Sequence, residues 1–331
     1  MGITVKFKNS GKIYQPVVKD GATLTRKKNA ASTFEFTMLN DETLRVEEGD
    51  VVMVESDDLM PAGEHHNIFF GFVFRIATSK NGEVNIMAYD QIRYLQNTDT
   101  FTYSDKTLTE VLRMICGDCQ IKAGGDIMAT GYAIPSRVEE NTGYLDMIVS
   151  AIQLTLQNTG KEYILWDNFG EIALHDTEFF KIGLTINSKT AQDFSFETSI
   201  DSGAYNQVKL FREKEDGTKE VFVKSDPDKI NKWGLLQSAG SANKDENGDE
   251  KAKSMLDSSK YPTRTWSVTG AFGDMRVRGG STIHVQLNMV DMGYKENGKT
   301  VDYWMQVESV THNFTANNHT MDLELKGGFR G

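Results

Sequence analysis

The chain has 331 residues, a formal net charge of −11, 39% apolar and 25% charged residues, and only 5 prolines. This is an ordinary globular composition, long enough for two or three domains with sizeable cores. No apolar run nears the roughly 18 residues of a membrane helix, and so acidic a chain is unsuited to gripping phosphate backbones, which takes clustered Lys and Arg.

The N-terminus, Met1 to Phe7, alternates like a strand and lacks the apolar core of a signal peptide, so synthesis in the cytoplasm is expected. Residues 1 to about 104 read as strands and turns without a helical intermission, which suggests an antiparallel barrel or sandwich. Thr33 to Met38 alternates strictly, as a half-buried strand should. Turn chemistry sits at Asn40-Asp41, at Glu48 to Asp50 and at Asn81-Gly82. The one compact basic run, Arg26 to Lys28, reads as a solvated loop between extended segments.

The period then changes. Leu108, Val111, Leu112 and Ile115 mark an amphipathic helix, and Thr107 with Glu110 forms a capping-box signature. A second helix carries Leu145, Ile148, Val149, Ile152 and Leu156, with Asn141 or Thr142 as its expected cap. A hairpin over Glu162 to Leu174 turns at Asp167 to Gly170, completing a small α+β insert over 105–180. Strands resume near Phe194, and Glu215 to Thr218 joins two of them. A polar excursion at about 226–260 holds short helices around Ile230–Leu236 and Glu250–Leu256 before strands return from Pro262 to Leu325.

Candidate chemistry is sparse. Cys116 and Cys119 form one C-x-x-C without a second pair, so buried reduced thiols are expected rather than a zinc or redox site. His312 and His319 face each other across a predicted hairpin with Asp322 nearby; packing and hydrogen bonding account for them more simply than a metal. Asn243 to Ser254 imitates a calcium loop, but Ser254 stands where a bidentate Glu is needed. His65-His66 reads as solvated, Asp57-Asp58 would point to opposite faces of a strand, and Trp233 and Trp266 fit core or interface better than a sugar platform. No hydrolase elbow, phosphate loop or zincin motif occurs. No catalytic residue, cofactor site or metal site is expected.

Two stretches repeat. Leu44 to Val54 matches Met275 to Val285 at a shift of 231, setting Arg45 on Arg276, Val46 on Val277 and Gly49 on Gly280. Each leads into an extended hairpin, Phe72–Thr78 with Glu83–Ala88 and Gln306–His312 with His319–Leu325. Short glycine-turn hairpins also resemble one another by chance, so the repeat needs a structural test.

Ser195 to Asp201, Tyr205 to Leu210, Gly273 to Ser281 and above all Val310 to Leu325 resemble the tail hub proteins of contractile phages, prophages and phage-tail-like bacteriocins of Gram-positive bacteria, a late control D-like hub. The resemblance extends over essentially the whole chain. It implies a mainly β fold with two tube-protein-like antiparallel barrels, 1–104 and 181–331, separated by the α+β insert. It further implies a homotrimer whose six barrels form a pseudo-hexameric ring between a six-fold inner tube, or its tube-initiator protein, and a three-fold central spike. Other baseplate proteins would be partners, in a virion or bacteriocin particle, with no stable nucleic-acid binding and no membrane insertion. An acidic channel wall would let DNA pass by repulsion. Its last predicted strand ends about six residues before Gly331, so no lytic domain is expected here. The competing expectations are a tip protein of a non-contractile tail and a cell-wall polysaccharide hydrolase.

Overall fold

A computed structural model describes residues 2–9, 11–39, 44–57, 66–80, 82–201, 203–214, 217–242, 247–288, 300–316 and 318–327. Seven strands open the chain: β1 (Ile3–Asn9), β2 (Lys12–Tyr14), β3 (Val18–Lys27), β4 (Thr33–Leu39), β5 (Val51–Ser56), β6 (His66–Thr78) and β7 (Glu83–Tyr89). Alternating burial in β4 places Phe34, Phe36 and Met38 inward, where they pack with Phe7, Val52, Val54 and Ile86. A 3-10 helix over Gln91–Gln96 follows, which the strand-only reading of this region lacked. Asp90 makes it: its carboxylate accepts the Ser32 and Ile92 amides at 2.8 and 3.0 Å, turning the chain out of β7.

The α+β insert holds β8 (Thr98–Tyr103), β9 (Lys106–Thr107), α1 (Leu108–Asp118), β10 (Ala123–Ile127), β11 (Ala133–Ile134), β12 (Arg137–Gly143), α2 (Tyr144–Thr159), β13 (Tyr163–Asp167) and β14 (Ile172–Asp176). The capping box of α1 is formed as expected, with Thr107 and Glu110 satisfying each other's backbone amides. For α2 the expected Asn141 or Thr142 cap is not used. Gly143 is the N-cap and makes no side-chain bond, while Gly160 ends the helix in the left-handed region at φ 70°. The apolar stripes of both helices meet Leu165, Ile172 and Leu174 of the β13–β14 hairpin in one core.

The rest comprises β15 (Lys181–Asn187), β16 (Asp193–Ser199), β17 (Gln207–Glu213), β18 (Lys219–Ser225), α3 (Pro227–Trp233), β19 (Gln237–Ser241), α4 (Gly248–Ser259), β20 (Thr263–Phe272), β21 (Thr282–Asn288), β22 (Thr300–Phe314) and β23 (His319–Lys326). The chain divides into two compact units, one of Met1–Phe194 with Ser267–Lys326, the other centred on Ser195–Trp266. In the second unit, α4 lays Ala252 and Leu256 on Val208 and Leu210 of the β18-β17-β19 sheet. This unit is wider than the excursion expected at 226–260, because β17 and β18 belong to its sheet.

The protein is mainly β, and its largest sheet has thirteen strands in the path β16-β20-β23-β22-β3-β4-β7-β6-β5-β1-β2, with β21 on β22 and β15 on β21. Among the described residues this path is open at both ends. Its two halves join directly, because β22 pairs with β3 from Ser309↔Lys27 to Phe314↔Ala22.

Candidate assembly site: a duplicated sheet with one closed and one open seam

The sheet contains the same five-strand order twice. The first copy runs β3·β4·β7·β6·β5, and the second runs β16·β20·β23·β22·β21. In the second copy, the hairpin turn between the first two strands is replaced by the small unit. Each copy turns on one long strand whose first half pairs with the strand before it and whose second half pairs with the strand after it.

The match extends to individual hydrogen bonds. The β6–β7 ladder slips between Val73 and Arg75, and the β22–β23 ladder slips between Val307 and Ser309, the same two places after a shift of 234. In the arch before β5, the Gly49 amide donates to Val73 O at 2.8 Å and Val73 N donates back to Asp50 O at 2.9 Å. In the arch before β21, the Gly280 amide donates to Val307 O and Val307 N to Ser281 O, both at 2.7 Å. Gly49 and Gly280 sit at φ 91° and 93°, a backbone that disfavours side chains, which is why glycine marks both places in the sequence. A chance likeness of short hairpins does not reproduce a bulge and an arch together. Leu44 and Met275, aligned by sequence, are both buried in the core of the first copy.

Where the copies join, a buried polar cluster replaces apolar packing. Arg26, only 6% exposed, donates to Ile68 O of β6 at 2.5 Å and to Met275 O of the second arch at 2.9 Å. The expected solvated basic loop Arg26 to Lys28 is thus wrong. Arg26 and Lys27 lie in β3, and Lys28 donates through Nζ to Glu162 at 2.6 Å and Gln306 at 2.7 Å. Charge-run reasoning failed here because partners more than 130 residues away desolvate the run. Burial pulls Arg26 and Arg278 down, the latter to about 10, while Asp90 and Asp167 hold them up. Burial raises both carboxyls, and each aspartate faces a cluster that is only partly neutralised.

His312 completes the seam. Its Nε2 lies 3.0 Å from Val277 O, an acceptor only, so Nε2 carries the proton; Nδ1 then accepts from His319 Nε2 at 3.0 Å. Both ring nitrogens are committed, and Asp322 is spent on the Gly270 amide and the Asn313 side chain. Among the described residues no three His, Cys, Asp or Glu side chains are grouped to hold a metal. Burial first, then the Arg26 and His319 charges, push His312 well below the ordinary histidine range. A group with a depressed folded pKa contributes stability that is present above its unfolded value near 6.5 and lost as pH falls. As pH falls from about 6.5 to 5.5 the protein is therefore expected to lose more unfolding free energy, read by urea denaturation at each pH, than its His312→Gln variant, by up to about 1.4 kcal/mol per pH unit. Equal losses in both proteins would refute this.

The other sequence candidates lie apart from the seam. Cys116 is buried and pushed up to about 12 by burial, and Cys119 is also raised; both are free. Asn243 to Glu246 and His65 lie outside the described residues. Asn247 caps α4, so Gly248 to Ser254 is helix rather than a calcium loop. His66 begins β6, and Asp57 accepts the Gly2 amide. Trp266 is core, its ring tilted against Phe196 at 4.4 Å, and Trp233 ends α3. Among the described residues no helix is long and apolar enough to cross a membrane.

What sequence reasoning missed is the seam itself and its vacant counterpart. By the same shift of 234, the stretch of β22 that receives β3 corresponds to Arg75–Thr78 of β6. Among the described residues no strand pairs with that outer edge. The counterpart of β3 is β16, the terminal strand of the sheet path. Burial agrees: Val310 and His312 are buried beside β3, whereas their counterparts Ile76 and Thr78 are half-buried and exposed.

This arrangement of a long sheet, an α+β insert and a repeated β unit is the fold of a phage tail protein. The 43 kDa tail protein of prophage MuSo2 from Shewanella oneidensis is similar with a TM-score of 0.65 at 15% identity, covering 97% of each chain. The chain belongs to the YqbQ-like family, whose model matches residues 23–326. It is 27% identical to the uncharacterized protein YqbQ of Bacillus subtilis over 82% of this chain and 81% of that one. It is 26% identical to the phage-like element PBSX protein XkdQ of the same organism, over 86% of each.

Proposed function

We propose that this protein is a structural, non-catalytic hub of a contractile tail or tail-like bacteriocin particle. Three chains form a pseudo-hexameric ring that seats a six-fold inner tube on one side and a three-fold spike on the other. The observation that carries this reading is the pair of seams. One β-unit docks its first strand on the long strand of the other within the chain, and among the described residues the same two surfaces recur unpaired, β16 on one copy and Arg75–Thr78 on the other. Surfaces that recur under rotation make a head-to-tail contact, which closes into a ring when the rotation allows. An open strand edge left exposed is otherwise an aggregation hazard.

On this reading the three parts are a tube-like unit at 1–104, the insert at 105–180 and a second tube-like unit at 181–331. Each barrel wall is completed by the neighbouring unit. Other baseplate proteins are the remaining partners, in the particle rather than a membrane. Light scattering of the purified protein, with and without the spike protein, tests the reading. Three copies of the 37.1 kDa chain per particle are expected in at least the second condition, after the mass of the spike is subtracted. A monomer in both would overturn it.

A further inference from the structure

A cleft of about 440 Å³ opens in the larger unit between the insert and the second arch. Its volume lies in the range of ligand sites and would hold about two side chains. One wall is aromatic. Phe179, 56% exposed, is stacked on His175 at 4.2 Å and on Trp166 at 5.8 Å, and Phe180 sets its edge against Trp166 at 4.9 Å. His175 is in turn fixed by Asp126 at 2.7 Å. An exposed ring held by neighbours on several sides has little freedom left to lose on binding.

The other wall is cationic. Lys181 lies over the Trp304 ring at 4.8 Å, with no carboxylate in ion-pair reach among the described residues. Arg276 spends Nε and Nη2 on Asp274, leaving Nη1 outside that pair. Lys181, Arg276 and Arg278 line the cleft against one carboxylate, Asp126, so even with Asp274 paired to Arg276 the cleft is less acidic than a chain of net charge −11 as a whole.

We propose that this cleft receives an extended protein segment bearing a carboxylate side chain next to an apolar one. The carboxylate meets Lys181 and Arg276, and the apolar neighbour lies on Phe179. A neutral sugar would use the ring but not the cations, and a nucleic-acid backbone needs a longer array of cations than this one cleft offers. The inference is independent of the ring, since no lining residue lies in β16 or in Arg75–Thr78.

Calorimetry with the full chain tests it, using a blocked tripeptide of glycine, glutamate and phenylalanine and its glutamine counterpart. The glutamate peptide should bind at about millimolar strength, roughly tenfold more tightly than the glutamine one, as one charge-assisted bond would give. Lys181→Gln should erase that preference, and Phe179→Ala should weaken both peptides about tenfold. Both side chains are exposed, so an unchanged thermal midpoint is expected to accompany either result. Equal binding of the two peptides, no saturation of the glutamate peptide at about 10 mM, or tighter binding of an N-acetylglucosamine disaccharide would overturn the proposal.

Discussion

Replacing Arg26 by methionine should destabilise the larger unit by about 3–5 kcal/mol, the cost of breaking a buried charge cluster by removing one member. The side chain is 6% exposed and bridges carbonyls from both copies, Ile68 O and Met275 O. Methionine fills much of the volume but leaves those acceptors without their donor. It also removes positive charge from beside Asp90 and Asp167, which burial already drives toward protonation. Urea denaturation followed by a probe in that unit reads the loss. A change below about 1 kcal/mol would show that the cluster is solvated and that the seam does not depend on it.

Gly279→Ala should be the other severe change, for a steric reason. A Cβ at this position would lie 2.1 Å from Lys28 N and 2.2 Å from the Lys27 carbonyl carbon. Both are backbone atoms at the end of β3, so no rotamer relieves the clash and the second arch must retreat from the first copy. Overpacking of this kind costs about 1–3 kcal/mol and sometimes more. Gly49→Ala is the informative comparison: the equivalent arch has open space nearby but needs φ 91°, so its cost is conformational only. Gly279→Ala should also increase amide exchange along Ser309–Phe314, where β22 meets β3. An unaltered exchange pattern would contradict the packing argument.

Much of the architecture was legible in the residues because the signals were local. Thr107 and Glu110 announced α1, and Gly49 and Gly280 marked the arches through a backbone that only glycine adopts cheaply. Hairpin period put His312 and His319 on one face, but not in one register: His312 lies opposite Met321 and His319 opposite Phe314, and the two rings meet diagonally. What stayed hidden was set by long-range desolvation and pairing. Nothing local in Arg26 to Lys28 reveals that β22, Glu162 and Met275 enclose it. The parallel pairing of β15 with β21 likewise has no signature in either strand. The α2 cap was misplaced because Asn141 and Thr142 are good capping residues, yet Asn141 takes up φ 47° and Thr142 remains in β12. The aromatic cleft was missed because Trp166, His175 and Phe179 come from different parts of the insert and meet only after β13 and β14 pair.

The claim that the vacant edges meet between chains can be read from one pair of engineered thiols. Within the chain, Thr25 and Thr311 are register partners with hydroxyls 3.2 Å apart. By the same shift of 234 the counterpart of Thr311 is Ala77, and Glu197 is an exposed residue of β16, the strand that corresponds to β3. Partners across antiparallel strands lie within disulfide range. Mild oxidation of the Ala77→Cys, Glu197→Cys variant should yield covalently closed trimers on a non-reducing gel. The Thr25→Cys, Thr311→Cys control should close within one chain. Cross-linking in the control but only monomers in the test pair, at the same concentration and with spike protein present, would contradict the account.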